Sequence, residues 1–317
     1  MRRTCLDMVH QLARRDPRTV FIGSDLSPDL LAGMKAEFPS RYYMEGIAEA
    51  NVIGMAAGMA LEGYIPYVNT IATFLTRRCY DQIAIDLCMH DLPVRLIANG
   101  AGLVYAPLGP THVAIEDIAI MRALPNMSIV APADAIEMKR FMEVSVDWPG
   151  PIYIRLAKGG DPVVTDGLDT FEIGQAYHLR EAEARGFGPV LLVTTGVMTN
   201  RALHAAEKLS AAGIATDVLH VPTIKPLDGS LLERLAEKAR LIVTVEEGTL
   251  MGGLGSAVIE HLVERLVGRL PPVRRLGIPD VFLRDYGSQD SLMEACGLQP
   301  EQIAETVTDA VGVLSAA

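Results

Sequence analysis

Glu49 stands alone at the head of an uncharged run. In EGIAEANVIGMAAGMALEG (45–63), no residue from Val52 to Leu61 is charged, and Gly54, Ala56, Ala57, Gly58 and Ala60 place small side chains at helical density. A helix of this kind is apolar nearly all round, so it belongs in the interior, close against other backbone. A carboxylate on its first turn has two readings. It complements the positive end of the helix dipole, or it is held in a dry site to share a proton or hydrogen bond with a ligand. These residues alone leave both open. Three further loops are unusual: GSDLSPD (23–29), GAGLVYAPLGPTH (100–112) and RLAKGGDP (155–162). A fourth loop, EEGTLMGGLGSA (246–257), is glycine-rich but lacks the GxGxxG order. It reads as a tight turn before a helix, not a phosphate loop.

The elements around these loops explain why the loops matter. TVFIGSD (19–25), IPYVNTIA (65–72), PVRLIAN (93–99), MSIVAP (127–132) and PIYIRLA (151–157) read as buried strands, with helical patterns near 49–62, 75–89, 114–123 and 134–145 between them. The alternation predicts a mostly parallel sheet covered on both faces. Its strand ends are where ligands bind, and the three loops lie there. A second set follows: strands PVLLVTTG (189–196), ATDVLHV (215–221) and RLIVTVEEG (240–248), with helices near 198–212, 229–239 and 254–268. The polar stretch KGGDPVVTDGLDTFEIG separates the sets. The expected division is therefore a first domain over 1–165, a linker over 166–188 and a second domain over 189–317.

Composition narrows the classes. The 317 residues are half hydrophobic, enough for two cores, and the formal charge is −11 without a basic run, which argues against a nucleic-acid surface. The arginines of MRRTCLDMVHQLARRD have no apolar segment behind them, so no secretory leader is expected. No stretch is apolar enough for a membrane span. Cys5, Cys79, Cys88 and Cys296 are scattered without CxxC spacing and read as reduced, mostly buried thiols of a cytoplasmic protein.

Four motifs in order, GIAEANVIGMAAGMA, ATFLTRRCYDQI, GPTHVAIEDIAIMRALPNM and VAPADAIEM, resemble the pyrimidine-binding half of the transketolase family, which includes deoxyxylulose-phosphate synthase. VTVEEGTLMGGLGSAV and DVFLRDYG resemble its C-terminal domain. The resemblance covers nearly the whole chain. It implies an α/β protein of two doubly wound domains, a thiamine-diphosphate pyrimidine-binding domain and a transketolase C-terminal domain. Full-length members begin with a further domain that binds the cofactor diphosphate and Mg²⁺ through GDG and a later Asn. Here GD occurs only in GGDPVV. The resemblance thus implies the smaller subunit of a split transketolase, with the diphosphate and Mg²⁺ held mainly by a larger partner subunit. The expected assembly is a dimer of heterodimers acting on small sugar-like substrates, with no metal ligand from this chain.

The resemblance also assigns roles. Glu49 matches the acid that hydrogen-bonds the pyrimidine ring nitrogen and favours the tautomer that deprotonates the cofactor, a task requiring a desolvated carboxyl with no cation close by. Phe74 matches the aromatic that stacks on the pyrimidine, against a simpler reading as core filling at a strand end. His112 matches the histidine that contacts the donor ketose near its carbonyl. Asp25 matches an acid near the cofactor, with a turn or capping role equally open. Departures concern the substrate. Leu108 stands where common transketolases have Asp, making that wall apolar. Lys158 replaces a phosphate-binding Arg and lacks its bidentate fork. Asp29 replaces a Ser near the phosphate, and Gly100 replaces a His. Arg77 or Arg78 is a candidate to restore positive charge, the alternative being a solvated helix face. The implied activity is ketol transfer, a two-carbon unit passing from a ketose donor to an aldehyde acceptor. Acyl transfer or keto-acid decarboxylation delivering the unit to a carrier is the second reading, and a non-catalytic partner subunit the third.

Overall fold

The structure is a computed structural model that describes residues 1–24, 26, 28–182 and 188–316. Asp25, a candidate from the sequence, lies outside the described residues. Twelve strands among those described form two sheets: β1 (Thr19–Gly23), β2 (Tyr42–Met44), β3 (Ile65–Ile71), β4 (Arg95–Asn99), β5 (Ser128–Val130), β6 (Ile152–Leu156), β7 (Tyr177–Arg180), β8 (Val190–Thr194), β9 (Thr216–His220), β10 (Thr223–Lys225), β11 (Leu241–Thr249) and β12 (Val273–Ile278). The first sheet runs β10-β5-β6-β4-β3-β1-β2 and the second β12-β11-β8-β9-β7. All pairs are parallel except β10 with β5 and β7 with β9. The mixed α/β character follows from the sequence, since β1, β4, β6 and β8 are largely apolar and buried along their whole length.

One face of the first sheet packs against helix Arg2–Arg15, whose Cys5, Leu6, Met8, Val9 and Leu12 are buried at helical spacing. Helix Ala135–Ser145 covers the same face. Its start is capped by Asp134, which accepts from the amides of Ile136 and Glu137. Its end is held by the fully buried Arg95, which donates to the carbonyls of Ser145 (2.6 Å) and Gly150 (2.7 Å), so that a cation meets the negative end of the helix. Burial pulls the Arg95 guanidinium down to about 10. Helix Glu49–Leu61 covers the opposite face.

Several features differ from the sequence reading. Tyr177–Arg180, inside the stretch expected as linker, pairs antiparallel with β9 as an edge strand. The helix expected over 75–89 is broken: Ala72–Arg78 ends where Cys79 leaves helical geometry (φ −107°, ψ 10°), and the chain resumes as a short turn and a π-helical stretch, Ile83–Cys88. β10, from the C-terminal half of the chain, extends the first sheet. No helix among the described residues is long and apolar enough to cross a membrane.

Candidate active site

Strands β1, β3, β4 and β6 all end on one edge of the first sheet, and the chain after each end carries the candidate residues. Glu49 opens helix Glu49–Leu61 after the short β2, and its side chain is 5% exposed. Helix Ala72–Arg78 leaves β3 directly, presenting Phe74 and Arg78 four residues apart on one face. Arg78 Nη1 donates to Glu49 Oε2 at 3.1 Å, and the Arg78 Cζ lies 4.0 Å from the centre of the Phe74 ring. Phe74 also meets His112 in an edge-to-face contact, with ring centres 5.2 Å apart and planes tilted by 65°. Thr111 engages His112 Nδ1 at 2.9 Å. Glu49, Arg78, Phe74 and His112 thus form one continuous contact chain.

The requirement that no cation stand near Glu49 is not met, because Arg78 reaches in from solvent and pairs with it. Both arginines are exposed on the helix face, as the solvated reading expects, but each is also paired with an acid. Arg77 is paired with Glu116 and donates to the Val113 carbonyl at 3.2 Å, which ties the helix after β3 to the chain just past His112.

The remaining candidates stand apart from this group. Leu108 closes the turn Ala106–Leu108 and is 48% exposed, four residues before His112, whose amide bonds the Gly109 carbonyl at 3.0 Å. Lys158, on its loop, and Asp29, in the short 3-10 turn Pro28–Leu31, are exposed and make no hydrogen bond to the group among the described residues. Gly100 has φ +67°, and a Cβ there would lie 2.0 Å from the Tyr105 ring, so Tyr105 fills the space a side chain at 100 would need. Burial holds the Tyr105 hydroxyl above its ordinary value, with Arg2 opposing.

A buried charged network behind the site went unread in the sequence. Arg155, within β6, donates to Asp117 Oδ2 at 2.8 Å and to the Glu247 carbonyl at 2.7 Å, and Tyr153 donates to the same Asp117 oxygen at 2.9 Å. Glu247, on β11, accepts from the Leu103 amide at 2.8 Å and from Gln289 at 2.7 Å. The loop that carries His112 is therefore pinned at Leu103 by the second sheet. Burial raises the Glu247 carboxyl, with Arg155 the main opposing influence. The signal was one charged residue inside the apolar run PIYIRLA: a buried arginine must find acids. Glu246 decides the glycine-rich loop. Its carboxylate accepts from the amides of Leu254 (2.7 Å) and Gly255 (2.8 Å), so the helix start is filled by the chain's own anion, and a Cβ at Gly253 would lie 2.0 Å from it.

Residues 1–160 match the family described as the transketolase pyrimidine binding domain, and residues 183–303 the transketolase C-terminal domain. The chain belongs to the transketolase family. A transketolase family protein of Sinorhizobium fredii is 38% identical over 94% of this chain and 85% of its own length. The 1-deoxy-D-xylulose-5-phosphate synthase of a Synechococcus strain is 40% identical over 94% of this chain. The match takes in only 45% of that synthase, so the chain spans about half the length of such relatives. A solved structure described as a split gene transketolase, inactive beta4 tetramer, superposes with a TM-score of 0.87 at 36% identity, covering 98% of this chain and 97% of its own. Family membership implies dependence on thiamine diphosphate.

Proposed function

We propose that this chain is the pyrimidine-binding subunit of a thiamine-diphosphate-dependent transferase that moves a two-carbon ketol unit from a ketose to an aldehyde. A larger subunit would hold the cofactor diphosphate and Mg²⁺, in a dimer of heterodimers. The observation that carries the reading is the convergence of a desolvated carboxyl, an aromatic face and a histidine at one sheet edge. The residues fit an aminopyrimidine: a flat group bearing N–H donors already spans Phe74 and Glu49, in the form of the Arg78 guanidinium. When bound, the cofactor supplies the nucleophilic carbon that attacks the donor carbonyl. Glu49 would share a proton with the pyrimidine nitrogen, its burial keeping water from competing. Phe74 would offer the ring face. His112, with Nδ1 taken by Thr111, has Nε2 for a donor oxygen. The neighbour described as an inactive β-only tetramer supports a chain that needs a larger partner. The four free thiols suit a reducing, cytoplasmic setting.

Substrate selection departs from common sugar phosphates. Leu108 offers no acceptor to a donor hydroxyl, Gly100 is closed by Tyr105, and Asp29 would repel a phosphate. The 40% identity to synthases of a deoxy ketose phosphate favours a second reading within the same site, formation of a deoxy or otherwise modified ketose. Glu49→Gln in the enzyme reconstituted with its larger subunit tests the common core of both. Turnover should fall at least ~10²-fold, the scale for a positioned acid–base group. A near wild-type rate with unchanged cofactor dependence removes Glu49 from the mechanism.

A further inference from the structure

Arg78 occupies both attachment points that the proposed cofactor site offers. Its guanidinium is planar, carries N–H donors, stacks 4.0 Å from the Phe74 ring centre and hydrogen-bonds the Glu49 carboxylate at 3.1 Å. An aminopyrimidine presents the same features: a flat face for Phe74 and a ring nitrogen for Glu49. Both groups cannot stand there together. We infer that Arg78 is an internal placeholder for the pyrimidine, closing the site of the chain by itself and swinging to solvent when the pyrimidine enters. The inference rests on the cofactor reading of Glu49 and Phe74 given above.

The local structure suits a reversible latch. Glu49 is buried, but the Arg78 side chain is 49% exposed, so the guanidinium can leave by rotamer changes alone, into water. It sits on the last turn of Ala72–Arg78, just before the backbone departs from helical geometry at Cys79. Arg77, its neighbour, is committed to Glu116 and cannot replace it. The latch also answers a physical need. A lone carboxylate beside an exposed aromatic face would be a poorly satisfied charge, and the arginine satisfies it until a ligand does. One half-exposed ion pair plus one cation–π contact holds the closed form at roughly 80–90% of the population, which weakens apparent pyrimidine affinity about five- to tenfold.

The test uses the full chain and the cofactor's pyrimidine half, 4-amino-5-hydroxymethyl-2-methylpyrimidine, titrated by ligand-observed NMR, with arginine side-chain nitrogen spectra recorded in parallel. Arg78→Met should bind the probe about five- to tenfold more tightly than wild type. Arg78→Lys, which keeps the charge but loses the planar stack, should fall between. In wild type, rotation of the Arg78 guanidinium should be hindered, and it should become free on adding probe or in Glu49→Gln. Equal or weaker probe binding by Arg78→Met overturns the placeholder while leaving the cofactor site intact. A guanidinium that rotates freely in wild type overturns it as well. Hindered rotation with no probe uptake by wild type or either Arg78 variant overturns the cofactor reading, and the placeholder with it.

Discussion

Gly100→Ala should destabilise the chain by ~2–5 kcal/mol, from two separable causes. Gly100 has φ +67°, the left-handed region, where a Cβ costs ~1–2 kcal/mol. That Cβ would also lie 2.0, 2.4 and 2.8 Å from Cε2, Cδ2 and Cζ of Tyr105. Pushing a packed ring aside costs a further ~1–3 kcal/mol. Tyr105→Ala frees the space, so Gly100→Ala in that background should keep only the backbone cost, leaving a coupling of ~1–3 kcal/mol between the two changes. Urea denaturation of the wild type, both single variants and the double variant measures each part. An equal cost with and without the Tyr105 ring would refute the packing argument, and a cost well under ~1 kcal/mol in both backgrounds would refute the backbone one. The consequence for substrate is direct. A histidine like that of phosphate-binding relatives cannot be restored at position 100 alone, because Tyr105 must go too.

Three further outcomes are expected. Asp134→Ala should cost at least ~3 kcal/mol, because one carboxylate accepts from the amides of Ile136, Glu137, Val164 and Thr165 and from the Thr165 hydroxyl. Burial raises the Asp134 carboxyl, but these bonds together outweigh it and the net shift is downward, so its stabilisation is present above the ordinary aspartate value and lost as pH falls through the lowered one; Asp134→Asn should flatten that acid limb in thermal melts. Glu247 has the opposite sign: with its folded value raised, the folded state holds the extra proton, and stability should decline as pH rises from the ordinary glutamate value through the raised one, a decline that Glu247→Gln should reduce. Leu108→Asp should shift donor preference toward ordinary phosphorylated ketoses in the reconstituted enzyme, since it adds an acceptor for a donor hydroxyl; an unchanged ranking in a kinetic panel would remove Leu108 from substrate selection.

What was legible in the sequence followed burial. The strands of the two sheets that are apolar along their length were read within a few residues, and the helix expected over 49–62 is Glu49–Leu61. Strands that escaped notice are short or half exposed: Tyr42–Met44 and Thr223–Lys225 have three residues each, and Val273–Ile278 carries two arginines on an edge. Their pairing is decided by neighbours, which local pattern does not contain. Phe74 and His112 took their roles from resemblance: an aromatic at a strand end has an ordinary packing role, while a histidine behind Gly-Pro-Thr in a loop is seldom core filling but does not by itself name a ligand. The Phe74–Arg78 spacing of four was available, and a helix puts such a pair on one face. That Arg78 would also meet Glu49 depends on how two helices sit on the sheet, and no local pattern carries that.

The strand Thr223–Lys225 has a consequence for how this protein can be cut. It leaves the second sheet after β9 and pairs with β5, so the edge of the first sheet is built from chain that belongs to the other half. Nearby, His220 is bonded to Glu137 at 2.9 Å with both side chains buried, and the Arg155 guanidinium is ion-paired with the Glu247 carboxyl at 3.7 Å across the same seam. A gene divided between residues 165 and 189 would yield two pieces, one with a bare strand edge and each with charges stripped of their partners. Chimeras exchanging the halves between relatives should fail unless β10, His220, Glu137, Arg155 and Glu247 travel as a matched set. In recombination, the two halves should behave as one heritable unit.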